Sequence, residues 1–519
     1  MPRSYGLIAG IWGTLWALLF LGVRARYAFP AACLATLYLL TKRLPLLQQN
    51  RWRSVFAPTF LLAATLTALL IMVRVLARGS AFLGGGLEYW DSGQFLQATH
   101  NLATTGIPWI TLEGFDRDYF TIHRNISAHL LAWLYRAIPR PELLWAWQGV
   151  GLLIPGLLMM AWVRPRLRAN PDTGASPDAV VYLSSVFFLW IFSPVVTSQF
   201  YWAYQFHIFG LTLIGLGLLA WLRRLDWAWF LCFALAALEK EDFGIPCGTF
   251  ALLNFMGWIR PRSATRWASL ATAAVCFGSF IEFSWFQTSV NQAEHYFSNW
   301  GTSYSAAGFA LLRRPFEAVW RVLHWKSLVY FGFFTVMSGL WLDPASRRGR
   351  LAVLASIVPI AVAQALSNSD ALVSVRHHYA LPLLLFSLFA LLKADAEVHS
   401  APTTAPILRA LSIRNFKIMA VMSLFLVQNP IRAYFNRADV DEKRAKVLAA
   451  LQAVAAEPER PVCCAPGTCS LLAQRRFLYS TLKGCPEGDL VKVSLDYAGE
   501  RLVGVLIEDP LAKIGGPGL

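Results

Sequence analysis

The chain has 519 residues, 56% of them hydrophobic and only 15% charged, with a mean hydropathy of +0.47. That balance excludes an ordinary soluble protein, because apolar runs of about 15–22 residues recur from end to end and a run near 20 spans the hydrocarbon core of a bilayer. The formal charge of +16 would raise nucleic-acid binding in a soluble domain, but each basic cluster is short and none forms a basic-aromatic domain, so nucleic acid is excluded and the cations read as loop markers.

Only helices or closed barrels satisfy the backbone inside a bilayer. The runs are continuous and not alternating, so the sequence predicts helices. In chain order the expected spans are 5–23, 28–41, 56–78, 142–163, 179–197, 207–222, 227–241, 243–259, 267–286, 328–343, 351–367, 378–393 and 415–430, about 13 in all. The expected fold is therefore an all-α polytopic membrane protein, and its 21 Trp suit aromatic belts at the two interfaces. Only Arg3 precedes the first run, and no small-residue cleavage site follows it, so it reads as a retained span.

With the N-terminus in the cytoplasm, the inside loops collect Lys42, Arg43, Arg51, Arg53, Arg164, Arg166, Arg168, Arg223, Arg224, Arg260, Arg262, Arg266, Arg347, Arg348, Arg350, Lys393, Arg409 and Arg414, the bias of the positive-inside rule. Arg24, Arg26, Arg78, Arg313 and Arg314 run against it. Ile126–Ile138 is apolar but too short to cross and is expected to lie at the interface. The outer face then carries a large first loop, about 79–141, a second, about 287–327, and a small soluble appendage, 433–519, following a membrane domain, 1–432. In the appendage Val491, Val493 and Leu495, then Leu502, Val505 and Ile507, alternate with polar residues as strands do.

Eight cysteines divide evenly. Cys33, Cys232, Cys247 and Cys276 lie in apolar spans and read as packing residues. Cys463, Cys464, Cys469 and Cys485 lie in the appendage. Outside the cell they suit two disulfides. Adjacent cysteines do not give the usual zinc spacing.

Ionisable groups gather in the outer loops. GGGLEYWDSGQF holds Glu88 and Asp91. Asp91 precedes Gln94 by three, the spacing of a capping box, and a carboxylate so fixed also suits a general base. Glu88 otherwise reads as a solvated loop residue. Asp116 and Asp118 in FDRDY have a spacing that grips a divalent cation such as Mg or Mn; a solvated loop is the plainer reading. His123 and His129 follow. FYWAYQFH brings Tyr201, Trp202, Tyr204 and His207, in an aromatic belt or a pocket. ALEKEDFG puts Glu239, Lys240, Glu241 and Asp242 into an apolar hairpin, where each charge costs roughly 2.5–3.5 kcal/mol at mid-membrane; they belong at its outer edge or in a wet cavity, and a simple charged turn is the alternative. SVRHHYALP supplies Arg376, His377, His378 and Tyr379. Arginine is a bidentate phosphate ligand, or an interfacial snorkelling residue. Carboxylates for base chemistry and cations for a phosphate leaving group fit transfer from a lipid-borne, phosphate-activated substrate.

Asp91-x-Gly93-x-Phe95 with Gln97, His123 and Ser127 followed by LYRAIPRPELLWAWQ, Phe206-His207, Lys240-Glu241-Asp242 and His378-Tyr379 together resemble, in order and spacing over about residues 80–390, the bacterial and archaeal membrane family DUF2079. That family is similar in layout to the GT-C superfamily of polytopic glycosyltransferases, which use polyprenyl-phosphate sugars. The resemblance, which leaves out the Cys-bearing tail and the first two spans, implies a GT-C-like bundle in the bacterial plasma membrane. It implies Asp91 as general base in an inverting transfer, with Lys240, Arg376 and His377 holding the donor's lipid phosphate. Glu88, His123, His207, Glu241, Asp242, His378 and Tyr379 would line the pockets. Some GT-C members need a divalent metal; Glu88, Asp116 and Asp118 are the candidate ligands. The expected partners are the bilayer and a lipid-linked sugar donor. The rival classes are a transporter or flippase for a lipid-linked or anionic solute, with charges at mid-membrane on broken helices and a repeat between halves, and a non-catalytic envelope-assembly protein.

Overall fold

The computed structural model describes residues 89–112, 117–163, 187, 190–191, 193–199, 205–260, 266–287, 292–340, 347–375 and 377–398, and in the appendage 454, 461–464, 478–480, 485, 491–498 and 501–508. The spans expected at 5–23, 28–41, 56–78 and 415–430 lie outside these residues, as does most of 179–197. The chain divides into two compact units. One comprises Met1–Leu69, Gly151–Tyr201 and His207–Gln428; the other comprises Leu70–Val150, Trp202–Phe206 and Asn429–Leu519.

In the second unit, helix α1 (Tyr89–Thr105) is followed by a short antiparallel pair, β1 (Trp109–Ile110) and β2 (Arg117–Asp118), and then by helix α2 (Ser127–Ala137). Polar side chains hold α1 to the hairpin. Gln97 donates to Thr111 Oγ1 at 3.0 Å and accepts from the Thr111 N–H at 3.1 Å. Asn101 donates to the Trp109 carbonyl at 2.6 Å. Phe95 packs edge-on to Tyr119 and Phe206, with ring centroids 5.5 and 4.8 Å away. A two-pronged amide bond inside an apolar environment fixes orientation as well as distance. Helix α2 buries Ala128, Leu131, Ala132 and Tyr135 and leaves Leu130 and Trp133 exposed. At 11 residues it is too short to cross a bilayer, as expected for Ile126–Ile138.

The long helices are α3 (Glu142–Val163), α5 (Ile208–Leu222), α6 (Asp226–Glu239), α7 (Gly244–Phe255), α8 (Arg266–Glu282), α12 (Trp325–Met337) and α15 (Leu381–Val398). Between them lie α4 (Pro194–Gln199), α9 (Gln292–Phe297), α10 (Tyr304–Arg313), α11 (Pro315–Val322), α13 (Arg347–Ala355) and α14 (Val358–Leu366). Among the described residues two helices are long and apolar enough to cross a membrane, Glu142–Trp162 and Arg266–Phe286. Gly349–Ala355 and Val358–Leu366 would make a third span, bent by 45°. Helices α5, α6 and α7 are apolar but shorter than the about 20 residues a straight span needs, because charged or polar turns cut the hydrophobic run on either side. A fold of multi-pass helical type is thus observed, with two or three of the about 13 expected spans found among the described residues.

The α5–α8 and α15 packing is aromatic. Phe250 lies 5.8 Å from both Phe233 and Phe386, and Trp221 lies 5.9 Å from Phe389. Between the apolar rings runs a short polar chain: Trp221 Nε1 donates to Asn254 Oδ1 at 3.2 Å, and Asn254 donates to Ser269 Oγ at 2.8 Å. Such interhelical bonds hold membrane helices in register where water cannot compete. Two cations read from the sequence as loop markers are instead buried: Lys393 on α15, and Arg350 on α13, which donates to the Gly339 carbonyl.

In the appendage, β3 (Val462–Cys464), β4 (Leu478–Ser480), β5 (Val491–Ala498) and β6 (Arg501–Glu508) form a sheet of order β4-β3-β5-β6. β5 and β6 pair antiparallel with Val493 opposite Ile507 and Leu495 opposite Val505. The predicted alternation holds along β5, where Val491 and Val493 are buried and Lys492 is exposed. Cys463 is disulfide-bonded to Cys485, and Cys464 is also in a disulfide. Cys232, Cys247 and Cys276 are free thiols within the helices.

Candidate functional site

The KED segment forms the tip of the α6–α7 hairpin. Helix α6 ends at Glu239, Lys240 is extended (φ −153°, ψ 133°), and Glu241–Phe243 makes one 3-10 turn before α7 begins. Two glycines permit this tight tip. A Cβ on Gly210 of α5 would sit 2.6 Å from the Phe243 ring and 2.9 Å from Glu239 Cγ. One on Gly244 would sit 2.5 Å from the Cys276 carbonyl oxygen of α8. Neither distance is compatible with a side chain, so the tip is seated against two helices at backbone range.

The tip is not a solvated charged turn. Lys240 is 4% exposed and Glu241 2%, and Glu239 is fully buried. The Lys240 ammonium lies 3.5 Å from Asp242 Oδ2 and 4.5 Å above the Tyr379 ring. A buried ammonium needs such partners, one carboxylate and one π-face. The Tyr379 hydroxyl in turn meets that of Tyr296 at 3.0 Å. The His378 ring meets Tyr379 and His207 in tilted contacts, at centroid distances of 4.0 and 4.7 Å, and His207 also packs edge-on to Phe243 at 6.0 Å. His207, Lys240, Glu241, Asp242, His377, His378 and Tyr379 therefore share one neighbourhood, although they are spread over more than 170 positions.

The second loop closes on the same end. Tyr304, at the start of α10, has its hydroxyl pushed above the ordinary phenol range by burial and then by the negative charge of Asp242 and Glu241. The Asn368 N–H donates to the Tyr296 carbonyl at 2.7 Å, Arg321 donates to the Ser367 carbonyl at 2.7 Å, and Lys326 pairs with Asp370 at 2.5 Å. Gln364 links the core to this end, accepting from the Tyr330 hydroxyl at 2.8 Å and donating to the Tyr379 carbonyl at 3.4 Å. Tyr296 and Tyr304 were not singled out by sequence reasoning. Their partners lie in other helices, and no local spacing announces them.

Burial holds the His377 imidazole below its ordinary value, so its neutral form is favoured at neutral pH. The unfolded chain then binds more protons than the folded one as pH falls through the ordinary imidazole value of about 6.5. The contribution of His377 is fully present above that value and lost below the folded one. We expect the melting temperature of the purified protein to fall on acidification through this range, and to fall less for His377→Gln. Identical acid limbs for the two would assign the pH dependence to other groups.

The first-loop candidates belong to the second unit. Asp91 is the third residue of α1, so it is not the N-cap expected from the Asp91–Gln94 spacing: the helix starts two residues earlier, at Tyr89. Gln94 is buried within it. The His123 N–H donates to the Tyr119 carbonyl at 3.1 Å, and its ring lies 6.1 Å from that of Tyr119. Asp118 accepts from the Phe120 N–H at 2.7 Å and caps the turn at Tyr119–Thr121, a structural use of one candidate metal ligand. His129 is exposed and rests on Phe120, 5.2 Å away. Glu88, Asp116, Arg376, Tyr201, Trp202 and Tyr204 lie outside the described residues. Among the described residues no group of three or more His, Cys, Asp or Glu is placed to hold a metal ion.

The family described as "Predicted membrane protein (DUF2079)" matches residues 87–455, most of the chain, and the chain belongs to that family. No curated protein matches. Among solved structures, ArnT from Cupriavidus metallidurans bound to undecaprenyl phosphate is similar at 13% identity and a TM-score of 0.45, over 88% of this chain and 99% of that one.

Proposed function

We propose that this DUF2079 member is a plasma-membrane glycosyltransferase of GT-C type, which moves a sugar from a polyprenyl-phosphate donor to an envelope acceptor on the outer side. The observation that carries the reading is the buried ammonium of Lys240 at the tip of the α6–α7 hairpin, faced by Asp242 and Tyr379, with His378 against Tyr379 and His207 against His378. A buried cation at the end of a membrane hairpin is costly and is kept where it meets an anion. In the free protein that anion is Asp242. The donor's phosphodiester, singly charged like the carboxylate, takes its place when the donor binds, and the ammonium then faces the second charge that develops on the lipid phosphate as it leaves. Neutral His377 and Arg376 add hydrogen-bond donors from the same loop.

In the reaction, the acceptor hydroxyl oxygen attacks the anomeric carbon and the bond from that carbon to the phosphate oxygen breaks, its electron pair leaving with the lipid phosphate. The hydroxyl proton passes to Asp91, and the configuration inverts. Glu88, His123, His207, Glu241, Asp242, His378 and Tyr379 shape the pockets for donor and acceptor. The membrane domain is residues 1–432, with about 13 spans; the appendage, 433–519, lies outside, where its disulfides are stable.

The test is transfer of label from a panel of radiolabelled polyprenyl-phosphate sugars into the envelope fraction by membranes that contain the protein. Label should leave the lipid phase only when the protein is present. The bend of 45° between α13 and α14 favours a second reading, a transporter with a broken helix. Label that crosses vesicles while still attached to its lipid would establish that reading instead.

A further inference from the structure

The second loop carries a surface that the proposed chemistry does not use. In α11 and its C-cap, Phe316, Val319, Trp320 and Leu323 recur at i, i+3, i+4 and i+7, the spacing of one helical face. All four are exposed, Phe316 at 90% and Trp320 at 77%. The opposite face carries Ala318 and Val322, which pack onto the cluster of Trp300, Ala307 and Leu366. The helix is thus apolar on two faces, one packed inward and the larger one outermost. Helix α10 continues the surface with Phe309 and Leu312, the latter 79% exposed. An apolar cleft of about 270 Å³ opens between α11 and α14.

Charge separates the candidate occupants. Residues 304–326 hold Arg313, Arg314, Arg321 and Lys326 against a single acid, Glu317. Arg313 and Arg314 sit at the joint of α10 and α11, beside the apolar face. Arg314 is only loosely paired with Glu317, at 3.7 Å with both side chains more than half exposed. The surface is also continuous with α12, whose Leu328 and Val329 are exposed on a helix that the sequence reads as a span. Aromatic side chains flanked by arginines at the end of such a helix match the interfacial layer of an anionic bilayer. A protein partner accounts for neither the continuity nor the position of the arginines.

We propose that the α10–α11 hairpin is an interfacial membrane anchor. Phe316, Val319, Trp320 and Leu323 enter the acyl chains of one leaflet, and Arg313 and Arg314 meet anionic headgroups. The partner is the lipid surface itself, and the inference stands apart from the sugar-transfer reading. It also gives a reason for the two arginines that break the sidedness rule: they belong to a helix lying in the headgroup layer rather than to a free loop.

The test uses the full chain in nanodiscs of phosphatidylcholine with or without phosphatidylglycerol, with a nitroxide-bearing unnatural residue at position 316, 317 or 320. Collisions with dissolved oxygen should exceed those with a water-soluble nickel chelate several-fold at 316 and 320, and the ratio should reverse at 317. Phosphatidylglycerol should raise the ratio at 316 and 320, and Arg313→Gln with Arg314→Gln should remove that rise. Free access of the nickel chelate at 316 and 320 would place the face in water and overturn the proposal. Exclusion of both reagents there would indicate a protein partner or a second copy, and would overturn it equally.

Discussion

Asp91→Asn is expected to abolish sugar transfer while leaving the protein folded in the membrane. If Asp91 accepts the acceptor's proton, loss of its basicity removes general-base catalysis, about 10²–10⁴-fold in rate. The helix should survive the change. Its position rests on the Gln97–Thr111 and Asn101–Trp109 bonds and on Phe95 against Tyr119 and Phe206, none of which involves Asp91. A carboxylate in the first turn of a helix is worth only about 0.3–1 kcal/mol, so membrane yield and melting temperature should change little. The measurement is single-turnover transfer at equal amounts of detergent-purified protein. Wild-type turnover by Asp91→Asn would remove Asp91 from the mechanism, and a collapse in yield would mean that its role is structural.

Lys240→Met is expected to act on both stability and donor binding, and a second substitution separates the two. Removing the ammonium takes from Asp242 the cation that lies 3.5 Å from its carboxylate. Breaking a buried pair in this way costs on the order of 3 kcal/mol. Combining Lys240→Met with Asp242→Asn removes the facing carboxylate charge as well and should recover most of the loss in melting temperature. It should not recover affinity for a short-chain polyprenyl phosphate. That affinity is expected to fall roughly 30-fold in either variant, the equivalent of about 2 kcal/mol. Recovery of both properties in the double variant would make Lys240 a structural partner of Asp242 and nothing more.

Hydrophobic runs were the most legible part of the sequence, because burial in lipid demands long apolar stretches. Helices α3 and α8 follow the expected spans to within a few residues. Strands β5 and β6 were legible from their alternation. The KED and HHY segments stood out because ions inside apolar flanks are expensive, and the structure brings them together through Lys240 and Tyr379. Tyr296 and Tyr304 were not legible. A tyrosine in a loop rich in aromatics carries no signal until folding brings it to Tyr379 or Asp242, and those contacts join positions dozens of residues apart. The cap assigned to Asp91 was misread for a local reason: the Asp–Gln spacing suits a helix start, but the helix had already begun at Tyr89.

Gly210 and Phe243 meet where a single methyl group would not fit. His207 lies three residues before the glycine and Lys240 three before the ring, so this joint couples an imidazole to an ammonium through backbone and ring. Bulk added at position 210 would push on Phe243 and Glu239 and so disturb both neighbours at once. On the proposed sugar-transfer reading, variation in donor or acceptor falls to Tyr296 and Tyr304, on α9 and α10, rather than to this joint.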